Sequence, residues 1–203
     1  MGPAATIFLA GKTDDARARD RDVRSLLKQY LQAGEDDSLL MDELGLCQGD
    51  VRIDVAVVNG ELSGYEIKSP SDTLARWPKQ RRIYSRVVDR AWLVAPLKTL
   101  ERAEMPRWWG QIGVFDSDDK LALRVVRPSQ PNPNPDALSI ARLLWRDEAI
   151  ELLRSAGTAR GVLSKSRGVI WERISETVAL DDLRAAVRVA LKKRPARVAA
   201  LAR

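Results

Sequence analysis

Apolar positions follow a helical repeat at the start of the chain and a denser, strand-like pattern soon after it. Over residues 14–32 they stand three or four positions apart, which predicts an amphipathic helix. Residues 51–58 are rich in β-branched side chains and predict a strand; Asn59-Gly60 is a typical hairpin turn, and residues 62–69 predict the partner strand. Residues 39–46 form another apolar segment, whose pattern fits either a helix or a strand.

Shorter apolar segments follow the hairpin. We expect a helix over residues 79–89 and strands over residues 91–95, 112–115 and 121–126. The order of helix, hairpin, helix and strand predicts a small α/β domain over residues 1–127. The opening ten residues are mildly apolar without a basic flank, so we expect a floppy start and not a signal peptide.

A proline-rich segment separates this part from the rest of the chain. Residues 128–136 hold four prolines in nine positions, which disfavours helix and strand and predicts a stiff, extended linker. After it, helical spacing dominates residues 137–203, with helices expected over residues 138–156, 169–178 and 180–193. The chain therefore divides into an α/β domain, a linker and a helical domain.

Composition narrows the chemistry. The 203 residues are 45% hydrophobic and 31% charged, as in globular proteins, but they include no His and a single Cys, Cys47. Ser-His-Asp triads, Cys-His pairs, zinc fingers and disulfide frameworks are therefore excluded. Without disulfides, and with no apolar run near the ~20 residues of a membrane helix, we expect a cytoplasmic protein. Its chemistry would rest on carboxylates, Lys, hydroxyls or an oxygen-bound metal.

Positive charge is concentrated after the linker. Residues 137–203 hold 14 of the 34 Lys and Arg residues but only 7 of the 28 Asp and Glu residues. This bias favours a polyanion such as DNA or RNA, although a solvated helical tail or a dimerisation arm fits equally well. The candidate phosphate-binding residues are Lys165, Arg167, Lys192, Lys193 and Arg194.

Three charged residues interrupt the apolar hairpin. Asp54 lies in the first strand, and Glu66 and Lys68 share one face of the second. Charges are costly in a buried strand unless they are paired or bind a metal. A two-residue turn would set Asp54 opposite Tyr65, whereas a three-residue loop or a bulge would set it opposite Glu66. If the three form a site, we predict the longer loop.

These residues resemble the PD-(D/E)XK nuclease superfamily. Asp54, Glu66 and Lys68 match its Asp and its E-x-K, with Ile53 in place of the Pro that is often missing there. Gln80 and Tyr84 match the Q-x-x-x-Y element of RecB-like members. The phrases E-L-G-L, G-Y-E-I-K-S, D-T-L, W-W-G and L-L-W-R-D-E are also similar to a group of small uncharacterised bacterial proteins.

The resemblance implies a fold, a reaction and roles. It implies a restriction-endonuclease-like core, a mixed β-sheet flanked by helices, with a C-terminal helical extension. Glu43, Asp54, Glu66 and the Ile67 carbonyl would hold Mg²⁺ or Mn²⁺, and Lys68 would orient the attacking water or neutralise charge. Gln80 and Tyr84 would position the substrate or the lysine. The implied function is hydrolysis of DNA phosphodiester bonds in DNA repair, mobile-element biology or phage defence.

Plainer alternatives remain for each residue. Asp54 and Lys68 fit a half-buried ion pair, Glu43 a surface carboxylate, and Tyr84 an ordinary core residue. Trp108 and Trp109 fit core packing better than base stacking. The main rival function is a non-catalytic nucleic-acid- or protein-binding module that retains the fold. RNA as substrate, a homodimer and an activating protein partner also stay open.

Overall fold

The structure, a computed structural model, describes residues 7–10, 16–32, 38–70, 72–117 and 120–201. Its strands are β1 (Ile7–Ala10), β2 (Leu39–Leu46), β3 (Val51–Val58), β4 (Leu62–Ile67), β5 (Arg90–Pro96), β6 (Gly110–Ser117) and β7 (Lys120–Arg127). Its helices are α1 (Ala16–Gln32), α2 (Trp77–Val87), α3 (Leu97–Arg102), α4 (Ala137–Ala141), α5 (Arg146–Ser155), α6 (Arg167–Thr177) and α7 (Leu180–Leu201).

The strands form one seven-stranded mixed sheet in the order β1-β7-β6-β5-β4-β3-β2. β5 is parallel to both of its neighbours, and all other pairs are antiparallel. Apolar residues of α1, including Leu26 and Leu27, pack with Val55 and Ile67 in one hydrophobic cluster. A larger cluster joins the sheet to α2 and the C-terminal helices. This confirms the expected α/β class and the mixed sheet flanked by helices.

The β3–β4 hairpin has the register that the sequence required for a site. Val58 faces Leu62 and Val55 faces Tyr65, so the loop is the three-residue Asn59–Gly60–Glu61. The Asn59 side chain accepts a hydrogen bond from the Glu61 N–H at 3.0 Å, which stabilises this turn. The same register, continued by one residue, brings Asp54 next to Glu66.

The β2–β3 ladder is interrupted where the candidate site lies. Glu43 has a left-handed φ of 54°, and the ladder pairs Asp42 with Val55 and Leu44 with Ile53 without a pair between them. Ile53 packs in the cluster under α2, whereas Val55 packs in the cluster under α1. A regular strand would place both on one face. Asp54 therefore lies at the interruption, between a residue of one face and a residue of the other.

Several element boundaries differ from the sequence-based expectation. Within the opening residues, expected to be a floppy start, residues 7–10 form the edge strand β1; residues 14 and 15 of the predicted first helix lie outside the described residues. The single helix predicted over residues 138–156 is two helices, because Trp145 is an N-cap whose N–H donates to Glu148 at 2.7 Å. The last helix continues through Pro195 to Leu201.

Residues 128–136 contain no helix or strand, and they pack against the sheet domain. Asn132 is buried, and its side-chain amide donates to the carbonyls of Ser85 and Val88 at 2.9 and 2.8 Å. The hydrophobic cluster continues across this segment, from Ile53 and Tyr84 to Leu153 and Leu191. Among the helices described, none is long and apolar enough to cross a membrane.

Candidate functional site

Asp54 lies on β3 directly beyond the last residue pair between β3 and β4. Its Oδ2 accepts a hydrogen bond from the Ile67 N–H at 2.8 Å, so the carboxylate takes the position of a backbone partner beyond the Val55–Tyr65 pair. The side chain is 22% exposed and lines a cleft of about 940 Å³ that Glu66, Lys68 and Gln80 also line. Asp54 is therefore anchored by the sheet and still open to a ligand.

Glu66 is almost completely buried and is bound by three side chains. Its Oε1 accepts from the Lys68 ammonium at 2.6 Å and from the Gln80 amide at 2.5 Å, and its Oε2 accepts from the Tyr84 hydroxyl at 2.6 Å. Lys68 also donates to the Gln80 Oε1 at 3.1 Å. A buried carboxylate is stable only when its oxygens are satisfied in this way.

The sequence spacing explains how α2 supplies two of these partners. Gln80 and Tyr84 are separated by one helical turn, so they project from the same side of α2 toward β4. Gly64 leaves room for the Tyr84 ring against β4, since a Cβ at Gly64 would lie only 3.3 Å from that ring. The five residues predicted from the hairpin and the Q-x-x-x-Y spacing are thus brought together.

Asp54 and Tyr84 both have raised pKa values. Burial, followed by the neighbouring Glu66 carboxylate, raises the pKa of Asp54 to about 7. Burial and the same carboxylate raise the pKa of Tyr84 well above its usual value, so Tyr84 remains a hydrogen-bond donor. The raised pKa of Asp54 indicates that the nearby cations do not fully compensate its charge.

Arg24 is a member of the site that the sequence analysis missed. Its guanidinium donates to the Asp54 carbonyl at 2.7 Å, contacts the Asp54 carboxylate at 3.3 Å and forms an ion pair with Glu43 at 3.1 Å. The helical pattern places Arg24 beside the buried residues Val23 and Leu27 of α1, but only the packing of α1 on the sheet shows what it reaches. No local motif signals this contact.

Glu43 lies at the interruption of the β2–β3 ladder, and its carboxylate contacts Arg24. The side chain is 47% exposed and lines the cleft with Asp54 and Glu66. Within the described residues, no group of three or more His, Cys, Asp or Glu side chains is arranged to hold a metal ion. The carboxylates predicted as metal ligands line one cleft, but Arg24 and Lys68 occupy part of their coordinating capacity.

The candidate phosphate-binding residues of the tail lie in different surroundings. Arg194 binds Glu148 through two hydrogen bonds of 3.0 and 2.6 Å and lies over the Trp145 ring at 4.5 Å, so much of its donor capacity is used within the protein. Lys165, Arg167 and Lys193 are exposed and Lys192 is half-buried. In the part of the chain that is described, no tail residue lines the site cleft.

The other singled-out residues lie away from the cleft lining. Trp109 is fully buried and packs edge-on against Trp77 and at a tilt against Tyr84, with ring centroids 5.1 and 5.5 Å apart. Trp108 is buried beside it. Cys47 is half-buried with a left-handed φ of 48°. Trp109 thus packs directly against Tyr84, and Trp108 packs against Trp109.

Fold and site together define an α/β protein with a buried Glu–Lys–Gln–Tyr network beside an acidic strand residue. The chain belongs to the bacteriophage P4 protein cII family, whose model matches residues 14–200. Among solved structures, it is similar to a protein of unknown function from Silicibacter pomeroyi, at 18% identity and a TM-score of 0.39, over 78% of this chain and 100% of that one. No curated protein matches the chain.

Proposed function

We propose that the chain is a metal-dependent nuclease that hydrolyses DNA phosphodiester bonds on a restriction-endonuclease-like core. The observation that carries the proposal is the network around Glu66, in which Lys68, Gln80 and Tyr84 all donate to one carboxylate next to Asp54. The resemblance to RecB-like nucleases assigns functional roles to these residues. Their assembly at the rim of an open cleft supports those roles over an isolated ion pair.

The donor set suits Mg²⁺ or Mn²⁺. Carboxylate and carbonyl oxygens are the ligands that these hard cations prefer, and Asp54, Glu66 and Glu43 bring three carboxylates to one cleft. Asp54, Glu66, the Ile67 carbonyl and Glu43 would hold the ion. When bound, the metal would lower the pKa of a water and stabilise charge on the phosphate.

The side chains around the metal would have separate roles in binding and orienting the substrate. The Lys68 ammonium, fixed by Glu66 and Gln80, would face the phosphate and neutralise the charge that develops there. Gln80 and Tyr84 hold Glu66 and, through it, the lysine, so they are positioning residues. Arg24 fixes the Asp54 backbone and balances part of the acidic charge.

The second candidate is a non-catalytic DNA-binding module. The observation that favours it is that both oxygens of Glu66 and both oxygens of Asp54 are already engaged by protein cations and donors. Such a module would bind DNA equally well in chelator. Because the family is named for a bacteriophage protein, mobile-element biology is favoured among the three contexts under either candidate. A cytoplasmic location suits both.

Metal binding separates the two candidates. Mn²⁺ should bind the wild-type chain in a calorimetric titration, and Asp54→Asn should weaken that binding at least about tenfold. Asp50→Asn is the matched control, because Asp50 is an exposed acidic residue lining the same cleft. Absence of Mn²⁺ binding, with DNA affinity unchanged by chelator, would establish the binding module instead.

A further inference from the structure

The outer side of α2 carries a row of cations. Arg76, Lys79 and Arg82 recur every third residue from the turn before α2 into its middle, and all three are exposed. A three-residue interval keeps successive members on adjoining positions of the helix surface, and Arg76 also lies one turn before Gln80. We call Arg76, Lys79 and Arg82 the α2 stripe.

The α2 stripe has no ion-pair partner in the part of the chain that the structure describes. Among the described residues, no carboxylate forms an ion pair with any of its three members. The neighbouring Arg81 and Arg86 differ, because they approach Glu104 at 3.9 Å and Asp136 at 3.4 Å. Three exposed cations that form no ion pair with a described residue are available to an anionic partner.

The α2 stripe connects the candidate site to a second groove. Arg76 and Lys79 line the site cleft together with Asp54 and Lys68. Lys79 and Arg82 line a neighbouring groove of about 1200 Å³, bordered by Trp108 and residues 132–134. Lys79 belongs to the walls of both. An anionic chain with its reacting group at Lys68 would therefore meet the stripe as it leaves the cleft.

We propose that the α2 stripe binds the phosphate backbone of DNA and leads it into the candidate site. This rests on the proposed function, which places a DNA phosphate at Lys68. Six residues of helix span about 9 Å, the length over which one DNA strand presents two or three phosphates at about 3.4 Å of helix axis each. We favour the α2 stripe over the C-terminal tail as the DNA-binding surface because only the stripe borders the candidate site among the described residues.

The test measures binding of a fluorescein-labelled 30-base-pair DNA duplex in chelator by fluorescence anisotropy. The triple variant Arg76→Gln, Lys79→Gln, Arg82→Gln should bind at least about tenfold more weakly at 0.15 M salt. The slope of log K against log salt should fall by about 2.7, as expected for three lost phosphate contacts. The matched control Lys165→Gln, Arg167→Gln, Lys193→Gln removes the same charge from exposed tail positions and should stay within about twofold of wild type. Circular dichroism confirms that both variants are folded.

Several outcomes would overturn the inference: no DNA binding by the wild type, an unchanged affinity of the stripe variant, or a loss that follows the tail variant. Tighter binding of an RNA duplex of the same sequence would overturn the assignment to DNA. Cleavage is measured separately with Mn²⁺. DNA binding that depends on the stripe, without any cleavage, would refute the proposed nuclease function but support the role of the stripe. Cleavage by the wild type, together with normal DNA binding by the stripe variant, would support the nuclease function but refute the role of the stripe.

Discussion

Asp54 is the most electrostatically exceptional residue of the site. It is mostly buried, lies beside Glu66, and receives only partial compensation from the Ile67 N–H, Arg24 and Lys68. The folded chain therefore favours its protonated form up to a pH of about 7, where an ordinary aspartate is already charged. The charged form of Asp54 is therefore unfavourable in the folded chain near neutral pH.

The first prediction concerns the pH dependence of stability. Between the usual aspartate pKa of about 4 and the folded value of about 7, the folded chain retains a proton that the unfolded chain has released, so stability falls as pH rises. Asp54→Asn removes this effect. In chelator, its free energy of unfolding should match the wild type near pH 4 and exceed it by on the order of 1–3 kcal/mol at pH 8.

Urea denaturation at both pH values gives the comparison, with Asp50→Asn as the exposed control. A variant at Asp54 that is less stable than the wild type at pH 8 would contradict the assigned electrostatics, since the charged carboxylate would then be a net stabilising group.

A second prediction isolates the hydroxyl of Tyr84. Tyr84→Phe removes the donor to the buried Glu66 Oε2, which leaves that oxygen unsatisfied. The free energy of unfolding should fall by about 1–3 kcal/mol, measured by urea denaturation. Tyr30→Phe, the same change at a half-buried position on α1, should cost less than about 0.5 kcal/mol. Equal costs at the two positions would show that the Glu66 contact is unimportant.

At this scale the sequence predicted most of the site but not all of it. Asp54, Glu66 and Lys68 break an apolar pattern, and Gln80 and Tyr84 share a helical face, so local spacing was sufficient. Arg24 is one charged residue among many in α1, and its role depends on how α1 crosses the sheet. Such long-range contacts leave no local trace.

At the scale of elements, the strands β4, β5 and β6 in the centre of the sheet are in close side-chain contact. Trp92 on β5 pairs with Gly110 on β6 and stacks on Tyr65 of β4, with ring centroids 5.9 Å apart and ring planes 6° apart. A Cβ at Gly110 would lie 2.2 Å from the Trp92 ring. The absence of a side chain at Gly110 therefore sets the position of Trp92 between β4 and β6.

A third prediction follows from this contact. Gly110→Ala should lower the free energy of unfolding by about 1–3 kcal/mol, because the rigid indole cannot yield without disturbing Tyr65. Gly60→Ala is the control, since a Cβ there meets nothing within 4 Å. Thermal denaturation of the two variants gives the comparison. Loss of stability at Gly60 but not at Gly110 would contradict the packing described for β5 and β6.

The elements were predicted where pattern and turn chemistry agreed. The three-residue β3–β4 loop was inferred because it sets Asp54 opposite Glu66, and the register confirms it. The break between α4 and α5 was missed because the apolar spacing continues through it, while the chain stops at the Trp145 cap. The short strand β1 was missed because pairing with β7 supplies most of what specifies it.

At the scale of the whole molecule, the C-terminal helices complete the core. Their apolar residues belong to the same cluster as the sheet residues Ile53 and Leu93. Asp89, next to β5, forms ion pairs with Arg184 and Arg188 of α7 at 3.0 and 3.5 Å. Its carboxylate also accepts a hydrogen bond from the Leu62 N–H at 2.7 Å. The proline-rich segment marked a real change of pattern, but its composition alone gave no indication that both sides share a core.

A fourth prediction is that a fragment ending at residue 136 does not fold by itself. Removing the C-terminal helices would uncover the larger hydrophobic cluster and leave the buried Asp89 without its arginine partners. The fragment should aggregate or lack a cooperative thermal transition, whereas the full chain should show one. A monomeric fragment that unfolds cooperatively, near the temperature of the full chain, would establish the sheet domain as an independent folding unit.

The most direct test of the central claim is cleavage of plasmid and linear DNA by wild type, Lys68→Ala and the exposed control Lys98→Ala. The account predicts that wild type and Lys98→Ala cut DNA in Mn²⁺ and not in chelator. Lys68→Ala should be at least about 100-fold slower, because it loses the cation that would face the phosphate. Absence of cutting by the wild type, or equal rates for wild type and Lys68→Ala, would contradict the assignment of a nuclease site.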